Sequence, residues 1–161
     1  MLFSDILDKT QSGFDDALGH AFSSLIHRYQ LGFFVIENAG TGILDSMGKN
    51  IQIKDVFYGG LSYNRPLVLT QILGCPADFL KNNQQPKSFA TELSKFLKKK
   101  LLCQLALVVI SGKEGVHIAA CLREHSLHKY ISMSPSQVGF VSVVQHSLKE
   151  WIQKYEEENH V

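Results

Sequence analysis

Phe33-Phe34-Val35-Ile36-Glu37-Asn38-Ala39-Gly40-Thr41-Gly42-Ile43-Leu44-Asp45-Ser46-Met47 reads as strand, small-residue turn and helix. The first four residues are an apolar run of β-forming types, the pattern of a strand buried on both faces. Glu37 to Gly42 is small and polar, with two glycines to relieve the turn. Ile43 to Met47 then resumes at helical spacing. Free backbone N–H groups at such a helix start favour a phosphate, a carboxylate or a developing oxyanion. The turn matches neither the Walker A sequence nor the G-x-G-x-x-G fingerprint. Taken alone it reads first as a structural glycine turn and second as an anion site.

Upstream, Phe14, Leu18, Phe22, Leu25, Ile26 and Tyr29 recur at steps of three and four, with Asp15, Asp16, Ser23 and Arg28 on the opposite face. This predicts an amphipathic helix from Ser12, a suitable N-cap, to Leu31-Gly32. Residues 1–11 read as an arm or a short helix. Downstream, Val56 to Tyr63 reads as a second strand. Its Gly59-Gly60 pair predicts a bulge or a close backbone approach. Pro66 suits a helix start, and Gly74-Cys75-Pro76 a stop. Phe89, Leu93, Phe96, Leu97 and Leu101 form another helical stripe. Lys98-Lys99-Lys100 falls in its last turn, where cations complement the dipole. Gln104 to Ile110, Val116 to Leu122 and Leu127 to Met133 read as strands, the first two forming a hairpin through Ser111-Gly112-Lys113-Glu114-Gly115. Ser134-Pro135-Ser136-Gln137 has the form of a capping box for a last helix carrying Val138, Val141, Val144, Leu148, Trp151, Ile152 and Tyr155.

Composition bounds the function. The chain has 161 residues, 45% hydrophobic and 19% charged, with a formal net charge of +1. That suits one folded domain over residues 1–161 and not a disordered chain. A near-neutral charge gives no electrostatic basis for nucleic-acid binding. No apolar run reaches the length of a membrane span. The start, Met1-Leu2-Phe3-Ser4-Asp5, lacks signal-peptide character, so a cytoplasmic protein is expected. Cys75, Cys103 and Cys121 are widely spaced, without a C-x-x-C pair, and read as buried reduced thiols. His125 and His128 have no third ligand nearby, so no metal is expected.

The order of elements predicts an α/β fold: three layers, α/β/α, around a mixed, mostly parallel sheet of about five to six strands. Ligands of such sheets bind at the carboxyl ends of strands. The turns after Ile36, Leu61 and Ile110 are therefore the candidate site.

In this order the segments resemble the CinA C-terminal domain family, whose stand-alone members are nicotinamide-mononucleotide deamidases. The family's A-E-S-C-T-G-G turn is matched by Ile36-Glu37-Asn38-Ala39-Gly40-Thr41-Gly42. Its F-x-G-G-x-V-x-Y-S-N-E-A-K segment is matched by Phe57-Tyr58-Gly59-Gly60-Leu61-Ser62-Tyr63-Asn64-Arg65, and its L-L-G-V helix end by Ile72-Leu73-Gly74-Cys75. The A-D-L-A-L-A-I-T-G strand is matched by Cys103 to Gly112. The P-V-G-T-V-x-I-A strand is echoed by Glu114-Gly115-Val116-His117-Ile118-Ala119. The resemblance spans roughly residues 12 to 157 and implies self-association.

Its departures fall on the chemistry. The resemblance implies a serine nucleophile and a lysine base. A hydroxyl needs such a neighbour to become nucleophilic. Asn38 stands at the serine position and Val68 at the lysine position. A one-residue shift of the first motif puts Ala39 there instead. The family's long glycine-rich loop is trimmed to Ser111–Gly115, and its arginine falls near Gln137. An amide neither attacks nor titrates.

The first reading is therefore a CinA-like domain without the reaction, acting as a ligand-binding or scaffold protein. The pocket residues would be Glu37, Asn38, Ala39, Gly40, Thr41, Gly42, Tyr63, Asn64, Arg65 and Ser111. The expected partners are a small nucleotide-like ligand and further copies of the chain, with no cofactor. The second reading is an active amidohydrolase with a relocated hydroxyl, Thr41, Ser62 or Ser111 with Lys113. A dinucleotide-binding oxidoreductase fails on glycine spacing.

Overall fold

The computed structural model describes residues 20–49 and 53–159. The predicted arm over residues 1–11 and the start of the first helix, with Ser12, Phe14 and Leu18, lie outside them. Helix α1 covers 20–28. Then follow β1 (Phe33–Asn38), α2 (Ile43–Gly48), β2 (Phe57–Tyr63), α3 (Leu67–Leu73), α4 (Ala77–Asn82) and α5 (Pro86–Leu101). The chain continues with β3 (Leu105–Ser111), β4 (Val116–Leu122), β5 (His125–Ile131) and α6 (Phe140–Asn159).

The five strands form one sheet in the order β2-β1-β3-β4-β5. β1 runs parallel to both β2 and β3, whereas β3–β4 and β4–β5 are antiparallel. The sheet is thus parallel in its first half and a meander in its second. Alternation along the strands builds two cores. Phe33, Val35, Leu107, Val109, Ile118 and Ala120 face α1, α2 and α6 through Phe22, Ile26, Ile43, Met47, Phe140 and Leu148. Ile36, Ala106, Val108 and Ala119 face α3 and α5 through Leu69, Leu73, Phe89, Leu93 and Leu97. The chain moves from β1 to one side, then crosses back over β1 to β3. Crossovers of one hand must then use opposite faces of the sheet, which gives three layers. No helix among the described residues is long and apolar enough to cross a membrane. The three cysteines are free and buried.

Both expectations for the glycine pair hold. The β1–β2 register slips between Phe33 and Phe34, so that Phe34 pairs with Gly59, and Gly59 has φ +123°. A Cβ on Gly60 would strike the Leu44 side chain and come within 2.5 Å of the Val35 carbonyl oxygen. Glycine here lets α2 lie directly on β2.

Two expectations are corrected and one helix is added. Helix α4 was not foreseen, because Ala77–Asn82 buries no residue fully and so carries no apolar stripe. The Ser134–Gln137 box closes a turn and does not open a helix. The Gln137 side chain accepts from the Ser134 N–H at 2.7 Å, but Gly139 at φ +89° breaks the chain before α6. Val138 is consequently 80% exposed, and Phe140 takes the core place expected of it.

Candidate functional site at the carboxyl ends of β1, β2 and β3

The parallel strands β2, β1 and β3 end together. Their register pairs Glu37 with Ser62 and Asn38 with Tyr63 on one side, and Glu37 with Val109 on the other. Successive side chains alternate across a strand, so Glu37 and Asn38 point to opposite faces.

Glu37 turns toward α2 and is 3% exposed. One carboxylate oxygen accepts the Leu44 N–H at 2.8 Å, and the other accepts the Thr41 hydroxyl. The Thr41 oxygen in turn receives the Ile43 N–H at 3.4 Å. Burial raises the Glu37 pKa, and the N–H groups of Leu44, Gly42, Ile43 and Thr41 oppose that rise. The first turn of α2 is therefore capped by the chain's own carboxylate. The place where a ligand anion was anticipated holds the Glu37 carboxyl group. Gly40 and Gly42 make this turn at φ +99° and +75°, a region that glycine enters without strain.

Asn38 turns the other way and closes on β3. Its side-chain carbonyl accepts the Ser111 N–H at 2.8 Å, and its NH2 donates to the Ser111 carbonyl at 2.8 Å. The carboxamide thus behaves as one more peptide unit of the β1–β3 ladder. Both of its functional groups are engaged with the backbone.

The other candidates separate. Tyr63 is 5% exposed and packs in the core with Ile36 and Leu69, where burial drives its phenol pKa far up. Asn64 and Arg65 are exposed before Pro66, and Ala39 is exposed on the turn. Val68, at the family's lysine position, packs against the α3–α5 core. Thr41 is 2% exposed beneath the turn. No hydrogen bond joins Ser111 to Lys113 among the described residues, and Lys113 is exposed.

One open concavity of about 500 Å³ lies here, walled by Glu37, Gly40, Gly42, Leu44, Asp45 and Ser62. Three of these were anticipated as pocket residues. Leu44 and Asp45 were missed, and Ser62 was considered only as a nucleophile. The Glu37–Ser62 register would have located Ser62. The walls carry two acids and no cation, and Asp45 pairs outside with Lys49 at 2.9 Å.

No family model and no curated protein matches this sequence. Solved structures do match. The competence or damage-inducible protein of Enterobacter asburiae superposes with a TM-score of 0.67 at 15% identity, over 85% of this chain and 95% of its own. A CinA-superfamily protein of Klebsiella pneumoniae gives 0.71 at 12% identity, over 86% and 97%. The competence/damage-inducible protein CihA of Agrobacterium tumefaciens gives 0.67 at 14%, over 85% and 93%. This chain has the CinA-superfamily fold. The coverage runs through both halves of the sheet, so the likeness extends over nearly the whole CinA unit. At these identities it is a likeness of fold.

Proposed function

We propose that the chain is a divergent CinA-type domain that keeps the family's fold without its deamidase reaction and acts as a scaffold or binding protein. The observation that carries this reading is Asn38. It stands where the resemblance puts the nucleophile, it has no attacking group, and both ends of its amide are tied to Ser111. Val68 at the lysine position offers no base. The walls of the concavity offer no cation to a phosphate-bearing ligand, and its one exposed acid, Asp45, is already paired with Lys49. Contacts with other proteins, including copies of this chain as the resemblance implies, are then the favoured mode. Three buried free thiols support a cytoplasmic setting.

The test is turnover of nicotinamide mononucleotide. Purified protein is expected to release no ammonia above buffer. The amidohydrolase reading has one specific observation in its favour: the Thr41 hydroxyl donates to a carboxylate of raised pKa, the arrangement of a nucleophile beside a base. Sustained ammonia release that survives Asn38→Ala and is abolished by Thr41→Val or Ser111→Ala would replace the scaffold reading.

A further inference from the structure

The antiparallel half of the sheet carries a histidine pair that the carboxyl-end site does not use. The register sets Ala119 opposite His128 and His117 opposite Tyr130. His117 and His128 are therefore diagonal neighbours on one face of the β4–β5 hairpin. Nδ1 of His117 lies 3.0 Å from Nε2 of His128, and the two ring centroids are 5.2 Å apart. Both rings are half-buried. The Tyr130 ring covers His117 at 5.0 Å between centroids, and its hydroxyl lies over Gly115, where a Cβ would come within 2.6 Å of it. This packing holds the His117 ring in place.

We propose that His117 and His128 form a two-nitrogen chelate for a divalent transition-metal ion of square-planar preference, copper(II) or nickel(II). Metal–nitrogen bonds to imidazole are about 2.0–2.1 Å long. Two such bonds to nitrogens 3.0 Å apart enclose an angle of about 90–100°. That is the angle between neighbouring ligands of a tetragonal ion. For such a pair of imidazole nitrogens copper(II) also binds more tightly than zinc in the general order of divalent-ion affinities. The ring that carries the shared proton takes its other tautomer, with the proton on its far nitrogen, and both rings turn so that the two lone pairs converge on the ion. Among the described residues no group of three or more His, Cys, Asp or Glu is placed to hold a metal ion, so water would complete the coordination. Burial first, and the Lys87 ammonium second, lower the His117 pKa, which marks Lys87 as the nearby positive charge that opposes an incoming cation.

Calorimetric titration of the untagged full chain with CuCl2, NiCl2 and ZnCl2 tests the site. One copper(II) per chain is expected, bound more tightly than zinc, with two imidazole nitrogens in its electron paramagnetic resonance spectrum. His128→Gln is expected to weaken copper binding about 100-fold through loss of the chelate. His146→Gln should leave it unchanged, and Lys87→Gln should tighten it. Equal binding by the wild type and His128→Gln would mean an adventitious ion only and would overturn the proposal, as would zinc binding more tightly than copper. A readout on the wild type alone guards against a misfolded variant: nickel should raise the Tm, and a chelator should reverse the rise. No rise at saturating nickel also refutes the site.

Discussion

The two halves of the sheet solve the problem of ending a strand differently. In the parallel half, β1 must hand over to α2 while its neighbours end at the same level. Polar side chains do the fixing there: Glu37 caps α2 and Asn38 extends the ladder to Ser111. In the antiparallel half each strand returns through a tight turn, so the backbone ladder itself continues to the end. One side chain fixes the far corner through two long-range contacts. Arg123 donates to Glu156 of α6 at 3.1 Å and to the Tyr29 carbonyl at 3.2 Å. The half that resembles an active site thus has its polar groups turned inward to hold backbone. The half without that resemblance keeps a paired set of ring nitrogens.

The first way to break this comparison is through the core that both halves share. Phe33 is fully buried, edge-on to Phe22 at 6.1 Å and tilted on Phe57 at 5.0 Å. Phe33→Ala should cost about 3–5 kcal/mol in urea unfolding, the range for a large aromatic removed from a packed core. A loss below about 1 kcal/mol would mean that β1 is not the central support of the parallel half.

Asn38→Ala comes next. It removes two hydrogen bonds and leaves the Ser111 N–H and carbonyl without their partner, which should cost about 1–3 kcal/mol. Amide exchange at Ser111 should accelerate. Asn38→Ser, which places there the hydroxyl that the sequence resemblance implies, should cost a similar amount because the shorter side chain cannot reach both backbone groups. An Asn38→Ser protein as stable as wild type would remove the ladder role assigned to Asn38.

Arg123→Ala should cost about 1–2 kcal/mol, less than a fully buried pair because the arginine side chain is 42% exposed. Arg123 also has φ +54° in its two-residue turn. Arg123→Gly loses the same contacts but relieves that backbone, and should be about 1 kcal/mol more stable than Arg123→Ala. If the two variants are equal, the turn is unstrained and the corner is held by the Arg123 side-chain contacts alone.

Much of the fold was legible because core residues announce themselves. Phe33, Val35, Ile36 and all of Leu105 to Ile110 are buried, and both segments read as uninterrupted apolar runs. The strand ends were not legible. β1 continues through Glu37 and Asn38, two polar residues that pattern assigns to a loop, because their partners lie in α2 and at Ser111, far along the chain. Helix α4 was hidden for the opposite reason: it buries too little to leave a stripe. The capping residues Ser134 and Gln137 do bond each other, yet Gly139 decides where α6 starts. For the candidate site, the turn and its glycines are readable, but the alternation that sends Glu37 and Asn38 to opposite faces shows only once β1 runs through them. That alternation separates the concavity of Glu37 and Ser62 from the Asn38–Ser111 bond. The His117–His128 contact depends on the Arg123-Glu124 turn setting the register, which no local pattern encodes.

The smallest expected effect concerns pH and the Glu37 cap. Burial raises the Glu37 pKa above its ordinary value in spite of the backbone N–H groups that favour the ionised form. The folded state therefore holds this proton to higher pH than the unfolded state does. Its contribution to stability is complete below the unfolded pKa, about 4.3. It is lost as pH rises through the folded value. Glu37→Gln retains a carbonyl acceptor for the Leu44 N–H and can donate to the Thr41 oxygen, but it has no titration. The difference in unfolding free energy between Glu37→Gln and wild type should then shift in favour of the variant as pH is raised from about 4, and level off above the folded pKa. A difference that stays constant across that range would show the carboxylate to be no more burdened in the fold than in the open chain. The N–H groups of α2 would then fully offset its burial, and the turn would be a relaxed anion nest occupied from within.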